Sequence, residues 1–270
     1  MARLPPSTWQ WLAKMVELTH RALEKRTAAH YDAYPFDFLT PEDELSIANM
    51  QPPPFRRFIQ NHAKSGSKVG EVGCGPGRGT MYLVQGGLDV TALDLSYTSV
   101  VLARSRAPGA RFAQGSNLNL PFADTTFDLV VSDGVIHHTP DAHRAFLENV
   151  RILKPGGYLY LGVYNKRGYY YLVYTYAGVP VRWLERFRPG RMFICATLLP
   201  LYYIVHLIKS GGKRSFRGAR NFFYDYIITP LASFHTREEI TSWGNELGLD
   251  LVTYDPSLGN VHVFVFRKAR

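Results

Sequence analysis

Five short apolar runs, SKVGEVG (67–73), LDVTALDL (88–95), ARFAQG (110–115), FDLVVSD (127–133) and GYLYLGVY (157–164), recur between stretches whose apolar positions are spaced for a helix. Short runs of this kind read as strands, and strands that alternate with helices predict a parallel sheet covered on both faces. The punctuation fits, with Pro155, Gly156 and Gly157 ending the helix that begins near Asp141 and turning the chain into the fifth run. Further on, Thr236 and Glu239 have the spacing of a capping box that opens the helix TREEITSWGNEL, and Gly248 closes it. The runs LDLVTYD and NVHVFVFR, separated by a short loop, predict an antiparallel hairpin at the edge of the sheet.

Two segments stand outside this alternation. Residues 1–62 read as a helical arm with a turn-rich end, YDAYPFDFLTPEDE, and residues 164–233 form an insertion of about 70 residues, far longer than the two to six usual for such a connection. The expected organisation is therefore an N-terminal arm (1–62), a core (63–163), a lid insertion (164–233) and the C-terminal part of the core (234–270). Ten of the 17 tyrosines fall between Tyr158 and Tyr203, which suits a lid over a partly apolar pocket.

Composition changes the picture in one place. With 46% hydrophobic and 20% charged residues the chain is an ordinary globular one, but its net charge of +9 is uneven. Between Arg151 and Arg220 stand 13 Lys or Arg against a single acid, Glu185, so this stretch carries +12 and the remainder −3. Such a field suits nucleic acid, an anionic membrane surface or an acidic substrate, and by itself says only that anions are tolerated near the insertion. Its most apolar part, residues 192–208, is 17 residues long and contains Pro200 and His206, which reads as a lid or buried helix at the lower limit of a membrane span. The start, MARLPPSTWQWLAKMVEL, lacks the apolar core and cleavage site of a secretory signal, and Cys74 and Cys195 make neither a metal spacing nor a disulfide framework. The expectation is a cytoplasmic chain without a metal site, with a peripheral membrane contact through 192–220 left open.

The chemistry is concentrated in VGEVGCGPGRG (69–79), where a strand should turn into a helix. Glycines there let the backbone approach a ligand and free the amides of the helix start. A dinucleotide fingerprint would need Gly or Ala where Arg78 stands, so the spacing favours a ligand without a pyrophosphate. Asp94, 21 residues after Gly73 at the end of the next run, is placed to accept hydrogen bonds from two ribose hydroxyls. Loop and acid together outline a nucleoside site.

At this point the chain resembles the class I S-adenosylmethionine-dependent methyltransferases, in particular the small-molecule group similar to the ubiquinone and menaquinone methyltransferases. The resemblance covers 67–163 closely and 234–270 loosely. It implies an α/β, Rossmann-like seven-stranded sheet, mostly parallel with an antiparallel last strand, with helices on both faces. It also implies S-adenosylmethionine as the cofactor and S-adenosylhomocysteine as its product. By resemblance, Glu71, Gly73, Gly75 and Gly77 hold the methionine part, and Asp94 with Leu95 holds ribose and adenine. In GSNLNLPF an Asp commonly follows the Gly; here Ser116 stands there, so adenine contact passes to Ser116 or Asn117. VVSDGVIHHTPD matches the fourth strand and puts Asp133 and Gly134 beside the sulfonium, and RILKPGGYLYLGVYN matches the helix, turn and fifth strand that follow.

If the acceptor is a hydroxyl or an activated carbon, a neutral imidazole is a suitable base; His138 is the first choice and His137 the second. Tyr31 or Tyr34 could face the cationic sulfonium. The expected reaction is methylation of a small, partly apolar or aromatic molecule by in-line displacement. The alternative within the fold is transfer of the aminocarboxypropyl group or cyclisation, with release of methylthioadenosine. Neither an NPPY-type motif nor an RNA-binding module is present, so no specific nucleic acid is expected.

Overall fold

A computed structural model describes residues 6–39, 41–213 and 215–270. Residues 1–5 and 40 of the expected arm, and 214 of the expected insertion, lie outside the described residues. The predicted runs form β1 (Lys68–Val72), β2 (Asp89–Asp94), β3 (Arg111–Gln114), β4 (Phe127–Asp133), β5 (Leu153–Tyr164), β6 (Leu249–Leu258) and β7 (Val261–Lys268). They make one seven-stranded sheet in the order β3-β2-β1-β4-β5-β7-β6. β1 to β5 pair in parallel, and β7 lies antiparallel between β5 and β6. The final hairpin is thus at the edge, with the last strand turned inward.

The alternating side chains of β7 show how the two faces are filled. Phe264 and Phe266 join Phe146, Ile152 and Ile240 on one face, while Val263 and Val265 join Phe55, Phe58 and Leu83 on the other. The first face is covered by α4 (Ala142–Ile152) and α5 (Arg237–Glu246), the second by α1 (Pro53–His62), α2 (Arg78–Gln85) and α3 (Tyr97–Arg106). Each fully buried aromatic or aliphatic side chain here contributes about 1.5–3 kcal/mol. The helix starts follow local chemistry: Asp141 accepts from Arg144 N, and Thr236 and Glu239 form the expected capping box. One boundary differs. The helix before β5 ends at Ile152, ahead of the Lys-Pro-Gly-Gly turn, because Leu153 already pairs with Phe127; the turn instead lies in β5 at a register irregularity, with Gly156 at φ +78°.

A long helix, Pro6–Ala33, precedes the sheet, and Asp32 near its end accepts hydrogen bonds from Ser96 Oγ (2.7 Å) and Thr98 N (3.0 Å) at the start of α3. After β5 the chain leaves the sheet for three helical runs, 169–185, 188–209 and 216–228, each with a widened π-helical stretch. Arm and insertion meet: Tyr34 stacks on Tyr224 at 3.7 Å, Phe36 packs edge-on against Phe222, and Asn221 Nδ2 donates to Asp37 O. They meet above the carboxyl ends of β1 and β4, where the strand order reverses and α/β sheets place their ligands.

Candidate active site

The loop that leaves β1 turns back tightly because Gly73 N and Cys74 N both donate to Leu93 O of β2. Gly73 has φ +77°, and a Cβ there would lie 2.3 Å from Val135, so the position demands glycine. Gly75 has φ +52° with nothing within 4 Å of where its Cβ would be: it opens onto space. That space is a cavity of about 400 Å³, within the usual range for small-molecule sites.

Of the residues singled out above, Glu71, Gly73, Gly75, Asp94, Leu95, Asn117, Asp133, Gly134, His138 and Tyr31 line this one cavity. Gly77, Ser116, His137 and Tyr34 do not, Tyr34 being stacked on Tyr224 instead. Gly77 faces Ala103 Cα, 2.8 Å from its missing Cβ, and so lets α2 approach α3 closely. The Ser116 hydroxyl donates to Glu24 of the arm and accepts from Leu118 N, which fixes the turn and leaves Asn117 to face inward. The His137 ring is fully buried, stacked on Tyr164 at 3.6 Å, with Nδ1 accepting from Tyr164 N at 3.2 Å; it supports β5 from beneath the cavity wall.

At one end the fittings are polar. Asp94 Oδ2 accepts from Gly75 N and Oδ1 from Ser96 N, both at 2.8 Å, which orients the carboxylate and leaves a lone pair on each oxygen. Burial pushes its carboxyl above the usual range, against those two bonds. Glu71 accepts from Thr80 Oγ1 at 2.5 Å, and burial pushes it up to about 7. Asp133 is likewise raised by burial, and Arg78 works against both shifts. Arg78 lines the cavity with Phe38 beneath it, a role hidden in the sequence because the residue stood out only for breaking a fingerprint. Asn117 Nδ2 and Oδ1 are buried without a protein partner.

At the other end the wall is aromatic: Tyr31, Phe36 and Phe38 from the arm side, Tyr164 from β5, and Phe222 and Tyr226 from the insertion. Two polar groups stand in it. Tyr31 Oη donates to Asp225 Oδ1 at 2.9 Å, and burial pushes Asp225 up to about 7. His138, on a short 3-10 turn after β4, donates from Nδ1 to Leu231 O at 2.7 Å, so Nε2 is left as the acceptor. Burial lowers its imidazole to about 4, and its ring meets Tyr31 edge-on. Asp225 had escaped the sequence reading, although it is the one acid between Glu185 and Glu238 and sits in the apolar run FFYDYII.

These residues fit S-adenosylmethionine. The glycine loop leaves room for its methionine part, oriented Asp94 matches two ribose hydroxyls, the orphaned amide of Asn117 matches an adenine edge, and Glu71 and Asp133 match its positive charges. Because the ionised form of Glu71 is the one that attracts an ammonium, affinity for this cofactor should rise as pH increases through about 7. Titration calorimetry across that range checks it; Glu71→Gln should remove the slope, and a slope kept in that variant would assign it to another group.

Residues 70–161 match the family model of a methyltransferase domain. The phthiotriol/phenolphthiotriol dimycocerosates methyltransferase 1 of Mycobacterium ulcerans (strain Agy99) is 41% identical over 109 residues, 39% of this chain and 40% of that protein. A probable tRNA methyltransferase 9B of Bos taurus is 40% identical over 116 residues, 42% of this chain and 24% of that protein. The chain therefore aligns with less than half the length of these relatives. Among solved structures, a SAM-dependent methyltransferase from Methanosarcina mazei superposes with a TM-score of 0.52 at 20% identity, over 81% of this chain and 98% of that one. A protein concerned with converting a disulfide bond into a thioacetal group during echinomycin biosynthesis reaches 0.54 at 21% identity, over 90% and 91%. At these identities the shared property is the fold.

Proposed function

We propose that this chain, whose residues 70–161 form a class I S-adenosylmethionine-dependent methyltransferase domain, works as a whole by methylating a hydroxyl group on a lipid-like or aromatic small molecule. The observation that carries this reading is the continuity of the cavity, whose polar end suits the cofactor and whose aromatic end holds the unprotonated Nε2 of His138. The relatives named for phthiotriol and phenolphthiotriol dimycocerosates, which are lipids, support an acceptor of that class.

When bound, the cofactor supplies an electrophilic methyl group on a sulfonium. Everything else falls to the chain. Asp94 and the glycine loop hold one reactant in place, and the aromatic wall orients the other; good positioning of this kind removes about 7–11 kcal/mol of the barrier. Phe36, Phe38, Phe222 and Tyr226 keep water away from the reacting atoms. His138 Nε2 takes the hydroxyl proton as the acceptor oxygen forms its new bond. The proton taken up by His138 would replace the positive charge that the bound cofactor brings, so the net charge of the buried site would be unchanged. Tyr31 and Asp225 give the acceptor a second polar contact opposite the cofactor end.

The test is incubation with methyl-labelled S-adenosylmethionine and an organic extract of the host. Label recovered in an organic-soluble product, with S-adenosylhomocysteine released in equal amount, is the expected result. Release of methylthioadenosine would overturn the methyl transfer, and label confined to RNA would overturn the acceptor class.

A further inference from the structure

The insertion that roofs the cavity has an outer surface of an unusual kind. Of the 22 large hydrophobic residues exposed among the described residues, 13 lie between Tyr169 and Phe216. They are ordered. On the helical run 169–185, Leu172, Tyr176, Val179 and Trp183 follow at intervals of three or four, which places them on one stripe of the helix. On the next run, Leu201, Ile204, Val205 and Ile208 repeat the spacing. The segment Arg188–Ile208 is apolar enough to cross a bilayer, yet only 11% of its most apolar window is buried inside the protein.

The insertion is also basic. Lys166, Arg167, Arg186, Arg188, Arg191, Lys213 and Arg217 are exposed, against a single acid, Glu185, between residues 166 and 217. Exposed apolar stripes and exposed bases on one insertion combine the two signals that hold a protein to an anionic lipid surface. Crossing the bilayer is disfavoured, because Ile194 and Leu199 on the inner side of this helix are buried against Phe223, Tyr224 and Ile228 and would have to be torn out. A second copy is disfavoured too, since pairing this face with itself would bring like charges together.

We propose that the outer faces of the runs 169–185 and 188–209 seat on a membrane bearing anionic headgroups. Resting on the lipid-acceptor reading above, this holds the roof of the cavity against the layer from which such an acceptor comes. Phe222, Asp225 and Tyr226, which line the cavity, belong to the third run of the same insertion, so the contact surface and the acceptor end of the site are built from one segment.

The full chain is tested by co-sedimentation with vesicles of phosphatidylcholine alone and of phosphatidylcholine with phosphatidylglycerol. Binding is expected to the second only, and to weaken with salt. The variant R186Q/R188Q/R191Q should bind on the order of a hundredfold more weakly, and W183E/I204E should not bind at low or high salt. Both should keep wild-type affinity for S-adenosylmethionine, which shows that they fold. A wild-type chain left in the supernatant, or variants that bind as wild type does, overturns the proposal. So does a wild-type dimer that W183E/I204E dissociates. Methyl transfer to a detergent-dispersed organic extract of the host is measured separately: transfer without vesicle binding removes this proposal alone, and vesicle binding without transfer removes the reading of the acceptor alone.

Discussion

His138→Gln is expected to lower kcat by roughly a hundred- to ten-thousandfold, the usual contribution of a positioned base, with the affinity for S-adenosylmethionine unchanged. Gln removes the basic nitrogen, because its amide cannot take a proton, and the unchanged cofactor affinity shows that the turn anchored at Leu231 O has kept its place. The pH profile carries a second signature. Burial lowers His138 to about 4, and the reaction needs the neutral ring, so the limb due to this group has activity rising with pH through about 4 and level above it. Single-turnover release of S-adenosylhomocysteine measures both. A variant that retained wild-type kcat would move the proton to another acceptor, the Tyr31–Asp225 pair being next in reach of the cavity.

Asp94→Asn is expected to weaken cofactor binding by roughly ten- to a hundredfold, since a hydrogen bond to a charged group contributes about 1.5–3 kcal/mol and the amide keeps only one of the two acceptors assigned to the ribose. The substitution is nearly isosteric, but only one of its polar atoms accepts. Either Gly75 N or Ser96 N then loses the partner that aligns the glycine loop with the start of α3. Titration calorimetry reads the affinity and thermal unfolding reads the loop. A fall in Tm at wild-type affinity would mean that Asp94 serves the loop and does not touch the ligand.

Much of this site was legible because its parts are local. The glycines of VGEVGCGPGRG and the acid at the end of β2 follow from how a chain turns at a sheet edge, and a turn of that kind depends on neighbours in sequence. The two helix starts at Asp141 and Thr236 were readable for the same reason. What escaped depends on distance along the chain. Tyr31 and Asp225 are 194 residues apart, and no periodicity in either segment brings them together. Ser116 and Asn117 are adjacent, and which one faces the cavity was decided by Glu24, 92 residues from the serine. His137 and His138 look alike in sequence, yet one is consumed in packing under Tyr164 and the other is presented to the cavity, because a 3-10 turn sends consecutive side chains in different directions.

The place of β7 also bears on how the molecule assembles. β6 precedes it in the chain but touches the rest of the sheet only through it, so the hairpin of the two strands joins the sheet only when residues 261–268 dock along β5. Until then the edge of β5 carries unpaired backbone groups, and the Phe264 and Phe266 side chains are missing from the layer that α4 and α5 cover. The wall that supports Tyr164, and with it one side of the aromatic end of the cavity, therefore depends on pairing Tyr164 with Val261, far apart in the chain, and long-range closure of this sort slows folding.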